Sequence, residues 1–178
     1  MFAYEQTEGR ELPSIGVNEL TGDVKNYHKL FNALTDICPV PICSEDIQGG
    51  ANGYYDDAAK RIAIRLGMSQ IQTIKTMIHE ISHQRLHFRQ NPDGEKPPDR
   101  GTKEVEAESI AYTVCSHYGL DTAEYTFGYV AGWSSGKETK ELKNSLERIR
   151  TTADEMITSI DHAMEKPREK CNRFVDER

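Results

Sequence analysis

The sequence predicts an α+β domain, mostly helical, with a small two- or three-stranded sheet placed before its central helix. Three observations carry that expectation. Apolar residues recur at spacings of three and four through residues 20–37, 69–88, 103–118 and 138–164, the pattern of amphipathic helices. Between the first two of these stretches, Ile62, Ile64 and Leu66 alternate with Ala63 and Arg65, as a half-buried strand does. Turn signals at Gly49-Gly50 and Asn52-Gly53 divide that same region into short extended pieces.

A chain of 178 residues suits one domain with a substantial core. Hydrophobic residues make up 37% and charged residues 29%, a globular composition with a polar surface. The net charge of −7 and pI near 5.4 argue against a broad nucleic-acid-binding face on this segment. No apolar run approaches the roughly 18 residues of a membrane span. The N-terminal stretch MFAYEQTEGRELPSIG lacks the apolar centre of a signal peptide. Cys38, Cys43, Cys115 and Cys171 show no CxxC-type pairing, so free thiols in a reducing cytoplasm are expected, with Cys38 and Cys43 as small buried hydrophobes.

Residues 1–19, with Gly9, Pro13 and Gly16, read as an extended lead-in or a linker from a longer protein. The domain proper spans 20–165. Its first helix carries Leu20, Val24, Tyr27, Phe31 and Leu34 on one face, and Pro39 and Pro41 stop it. Strands are expected at 40–47, 53–55 and 61–66, the last two joined through Asp56-Asp57. The central helix starts at Ser69, which with Gln72 fits a capping box. Its stripe is Ile71, Ile74, Ile78 and Ile81. Residues 91–101, rich in proline and glycine, form a loop. A third helix, 103–118, takes Thr102 as N-cap and Gly119 as stop. Its Ala107, Ala111 and Val114 are small enough to let the central helix approach. The aromatic run YTFGYVAGW, 125–133, either packs on the core or walls a cleft. The last helix places Leu142, Leu146, Ile149, Ala153, Met156, Ile160 and Met164 on one side. That is either a coiled-coil seam or the face by which the helix packs across its own domain. Residues 166–178 form a charged tail expected to fray.

The chemistry lies in the central helix, where His79-Glu80-Ile81-Ser82-His83 is an HExxH sequence. Residues four apart share a helix face, so His79 and His83 can present two imidazole nitrogens to one ion. Glu80 can reach a water held there and act as general base, the arrangement of a zinc (Zn2+) hydrolase. Such a site needs a third protein ligand and an open fourth position. The third helix begins with Glu104, Glu106 and Glu108. Glu104 and Glu108 share a face, while Glu106 points elsewhere. An acidic first turn favoured by the helix dipole is the plainer reading of this run. Downstream of HExxH, one of Glu104 and Glu108 is expected to bind the ion and the other to orient an imidazole. His87 is read as a supporting or structural residue. Tyr112, His117 and Tyr118 are candidates for stabilising an oxyanion.

HEISH followed by KEVEAESIAY resembles the gluzincin pattern, and within it the ImmA/IrrE-type metallopeptidases, whose second motif reads roughly ExEANxFA. The matching positions are Glu104, Glu106, Ala107 and Ala111, with Glu108 in place of the Asn, and His87 fits the HExxHxxxH continuation. The flanking GGANGYYDDAAKRIAIR and HYGLDTAEYTFGYVAGW resemble the C-terminal peptidase domains of ArdC/LtrC-like proteins of plasmids and conjugative elements, which carry a single-stranded-DNA-binding domain upstream. The resemblance covers about residues 40–165. It implies a zincin-like fold and zinc-dependent hydrolysis of peptide bonds in a cytoplasmic protein substrate, in connection with a mobile genetic element. It also implies His79, His83 and Glu104 as ligands and Glu80 as base. The departure at position 108 leaves Glu104 against Glu108 open, with Glu104 favoured. A metzincin would need a third His where Arg89 stands. The rival class is a non-catalytic zincin-scaffold binding module acting in DNA transfer or anti-restriction. An intact Glu80 favours the enzyme, and the acidic balance disfavours DNA binding by this segment.

Overall fold

A computed structural model describes residues 20, 24–87, 98–122, 133 and 137–166. Within them the chain runs α1 (Tyr27–Ile37), β1 (Ile42–Glu45), β2 (Gly53–Asp56), β3 (Arg61–Arg65), α2 (Gln70–His87), α3 (Arg100–His117) and α4 (Thr139–Glu165). The described residues thus form a mostly helical α+β structure whose three strands precede α2. The expectations for 1–19, for the loop through 97, for the aromatic run up to 132, for Cys171 and for the tail beyond 166 fall outside the described residues.

The strand order is β1-β3-β2. β1 runs parallel to β3, with Cys43 opposite Ala63, and β2 runs antiparallel to β3, with Tyr54 opposite Ala63. Being central, β3 is buried at Ile62, Ala63 and Ile64 alike, so the expected half-buried alternation is not seen. Ile62 and Ile64 enter the core. Ala63 is covered on the other face, where Arg61 pairs with Glu45 at 2.8 Å and the Tyr54 hydroxyl bonds the same carboxylate. Leu66 lies past the strand end and is exposed.

α2 is packed by the sheet on one side and by α3 on another. Ile74, Met77, Ile78 and Ile81 are fully buried there beside Ile110 and Val114 of α3. Gly53 sets how closely β2 lies on α2. A Cβ at that position would stand 2.7 Å from Thr76 Cγ2 and 3.2 Å from Glu80 Cγ, so any side chain would push the strand off the helix.

Half of the expected capping box forms, with Ser69 Oγ accepting from Gln72 N at 3.2 Å. The Gln72 side chain turns elsewhere: its Oε1 takes Leu20 N at 3.3 Å and its Nε2 donates to Thr76. Gln70 Oε1 likewise takes Val24 N at 2.8 Å. These bonds hold Leu20 and Val24 against the start of α2. They explain why α1 begins at Tyr27 rather than Leu20: Asn26 is left-handed, at φ 62°, and Val24 packs into the core from outside the helix.

α3 begins at Arg100 rather than 103, and its N-cap is Asp99 instead of Thr102. The Asp99 carboxylate accepts from Thr102 N at 2.9 Å, and a charged oxygen at this end also gains from the helix dipole. Thr102 sits inside the first turn and links the Asp99 carboxylate to Trp133 Nε1, at 3.0 Å from each. Gly119, at φ 74°, ends the helix as expected. α4 crosses α3 and α1 and buries Ala153, Met156 and Ile160 against them. Of the two readings left open for this helix, packing across its own domain is the one observed, although Leu146 stays 63% exposed. Cys38, Cys43 and Cys115 are free thiols; the first two are only half-buried. No described helix is long and apolar enough to cross a membrane.

Candidate metal centre

α2 and α3 lie side by side, so the first turn of α3 faces the middle of α2. His79 Nε2 and His83 Nε2 stand 3.1 Å apart, and Glu104 Oε2 lies 3.6 and 3.5 Å from them. Among the described residues these three side chains are the group able to hold a metal ion. A tetrahedral zinc with bonds of about 2.0–2.1 Å has ligand atoms about 3.4 Å apart, so the donor set fits that ion in both chemistry and spacing. Glu104 is 42% exposed at its side chain and opens onto a cleft of about 420 Å³, also lined by Gly53, Tyr55, Glu80 and Arg100.

Glu108 lies behind the site. Its Oε2 is 3.3 Å from His79 Nδ1, the ring nitrogen turned away from His83, and its Oε1 is 2.8 Å from Lys75 Nζ. Both members of that ion pair are almost wholly buried. The geometry therefore brings Glu104 to the two Nε2 atoms and Glu108 to the back of one ring. His87 supports the other ring. Its Nδ1 is 2.9 Å from His83 Nδ1, and its Nε2 is 3.1 Å from Glu106 Oε2. Glu106 points away from the Glu104–Glu108 face, as expected, but not into a solvated acidic turn. It is fully buried and binds the Arg148 guanidinium of α4 through Nε, at 2.9 Å, and Nη2.

The electrostatics follow from these neighbours. Burial alone would lower the pKa of His79, but the Glu104 and Glu108 carboxylates outweigh it and raise it to about 9. The His79 and His83 imidazoles set against it, His79 foremost, hold the Glu104 carboxyl well below the usual range. Burial raises Glu80, against a backbone N–H bond from Tyr55 and the nearby imidazoles. A carboxylate shifted upward is better matched to taking and returning a proton near neutral pH. Burial raises Glu106 too, yet His87 and Arg148 together hold it below its ordinary value.

None of Tyr112, His117 and Tyr118 lines the cleft. His117 and Tyr118 sit at the far end of α3, where Asp161 of α4 accepts from the Tyr118 hydroxyl at 2.8 Å and lies 3.9 Å from His117. Their expected part in stabilising an oxyanion is therefore withdrawn. Sequence reasoning passed over Lys75, although a lysine four residues before His79 shares its face. It also passed over Arg100 and Arg148, for which spacing offered no signal.

No family model matches the chain, and no solved structure does. It is similar to an uncharacterized protein of Bacillus anthracis, 33% identical over 187 aligned residues. The alignment takes in 99% of this chain and 30% of that protein, so the chain spans under a third of its relative's length.

Proposed function

We propose that the chain is a zinc-dependent peptidase domain of zincin-like fold, hydrolysing peptide bonds in a cytoplasmic protein substrate. The observation that carries this reading is Glu80. It is a buried carboxylate, fixed by the Tyr55 N–H, beside a three-ligand group that opens onto a cleft. A structural zinc site closes itself with four protein ligands and needs no base.

His79, His83 and Glu104 would hold the ion. Zinc bound there would supply Lewis acidity, the chemistry that polarises a scissile carbonyl and acidifies a water. Glu80 takes the proton of that water and passes it to the leaving amine. Among the described residues β2 is an edge strand and borders the cleft, so an extended peptide can lie along it in the manner of an added strand. Arg100 brings positive charge to the same cleft. In a longer protein of the mobile-element kind implied by the resemblance, DNA contacts would fall to other segments, because this one is acidic.

Metal content tests the reading first. About one zinc per chain is expected, lost on joint substitution His79→Ala and His83→Ala. Protein purified without chelator and free of transition metal by elemental analysis would overturn it.

The pKa of His79 adds a pH dependence. Below about 9 this ring carries a proton that a metal must displace. Apparent zinc affinity should therefore weaken about tenfold per pH unit as pH falls from 8 to 6, and level off above 9. Chelator competition across that range reads the slope directly. A flat profile would mean that no proton leaves His79 on binding.

A further inference from the structure

His83 and His87 lie one turn apart on α2 and meet through the same ring atom, with their Nδ1 nitrogens 2.9 Å apart. Two nitrogens at that distance share one proton, and one ring must own it. The ownership is decided at the other end of the contacts. Arg148 offers donors only, and it holds Glu106 Oε1 with Nε at 2.9 Å. Glu106 is thus a carboxylate and can only accept. Its Oε2, 3.1 Å from His87 Nε2, takes its hydrogen bond from that nitrogen. A neutral His87 protonated on Nε2 has a bare Nδ1, so His83 must supply the Nδ1–H. The Nε2 of His83 is then left with its lone pair, directed towards His79 Nε2 and Glu104 Oε2. The His87 and Glu106 side chains are 1% and 0% exposed, which leaves water no place to substitute for either partner.

We propose that His87, Glu106 and Arg148 are positioning residues that fix the tautomer of His83 and so keep its Nε2 free to bind the metal. The purpose of the relay rests on the zinc reading, while its proton order rests on the contacts alone. His79 has the usual direct arrangement, a carboxylate against Nδ1. His83 differs in having a second imidazole interposed, so the acceptor that sets its tautomer is carried across from α3 and anchored by α4.

The test reads tautomers from two-bond proton–nitrogen spectra of protein labelled with 15N-histidine, alongside zinc affinity by chelator competition. Metal-free wild type should show His83 protonated on Nδ1 and His87 on Nε2. In Glu106→Gln the amide oxygen stays with Arg148 and the NH2 group faces His87. Both tautomers then reverse, a proton sits on His83 Nε2, and zinc affinity falls about 10–100-fold. Adding Arg148→Met frees the amide to turn its oxygen to His87 and should restore most of that affinity, which a loss of packing cannot do. Unchanged tautomers in Glu106→Gln, or a double variant weaker than the single one, overturn the proposal. If Glu106→Gln does not fold, His87→Gln and His87→Phe replace it. The first can accept from His83 and donate to Glu106 and should stay within a few-fold of wild type, the second should not, and equal losses overturn the relay. Should wild type bind no zinc, the metal reading fails, and the tautomers of the metal-free protein still decide the relay.

Discussion

Glu80→Gln is expected to keep its zinc and its fold while cleavage drops by about 10²–10⁴-fold. The amide has the shape of the carboxylate and can still accept the Tyr55 N–H bond, so β2 and α2 remain in register around it. It also removes a charge from a site that is only 7% exposed, which gives no reason for a loss of stability. What it cannot do is take a proton from water. The measurement is turnover of a protein that wild type cuts, found by mass spectrometry of digested extracts, with metal content and thermal unfolding on the same preparations. Comparable activity in the variant would show that another group moves the proton.

The second large effect separates two glutamates one turn apart. Glu104→Ala should strip most of the zinc, because it removes an atom that stands 3.5–3.6 Å from both ligand nitrogens, and should leave the metal-free fold nearly unchanged. Glu108→Ala should do the reverse. Losing a group behind a ligand costs about 10–100-fold in affinity. Losing the partner of Lys75, buried at 2.8 Å, costs about 3–5 kcal/mol of stability. Chelator competition and denaturant unfolding of the metal-free variants give the two numbers for each. A larger zinc loss in Glu108→Ala would exchange the roles.

Where the sequence could be read, local periodicity made it so. The stripe of α2, the small residues of α3 and the i, i+4 pairs His79–His83 and Glu104–Glu108 are all set within a turn of helix, and spacing alone exposes them. The misreadings come from competition that spacing does not encode. Leu20 and Val24 continue the period of α1, yet their backbone N–H groups are taken by glutamines some fifty residues away. Thr102 is a good N-cap, but Asp99 three residues earlier is a charged one. The parallel pairing of β1 with β3, which skips β2 in the sequence, leaves no mark on any single strand. Glu106 is the clearest case. Its partner Arg148 lies 42 residues on, so a buried carboxylate paired with another helix looked like one more charge in an acidic turn.

The same ion pairs bear on which ions the centre can tolerate. Around it, in the interior and at its mouth, stand the carboxylates of Glu80, Glu104, Glu106 and Glu108, with Lys75 and Arg148 as fixed cations. Each cation is committed to one carboxylate, Lys75 to Glu108 and Arg148 to Glu106. Glu80 and Glu104 have no lysine or arginine ion pair of this kind among the described residues, although Arg100 lines the same cleft. A proton on His79 answers one of them, and a doubly charged ion answers both. In the proposed metal site a singly charged ion would leave one of these carboxylates unmatched and a triply charged one would overshoot them, so their two charges would favour a dication.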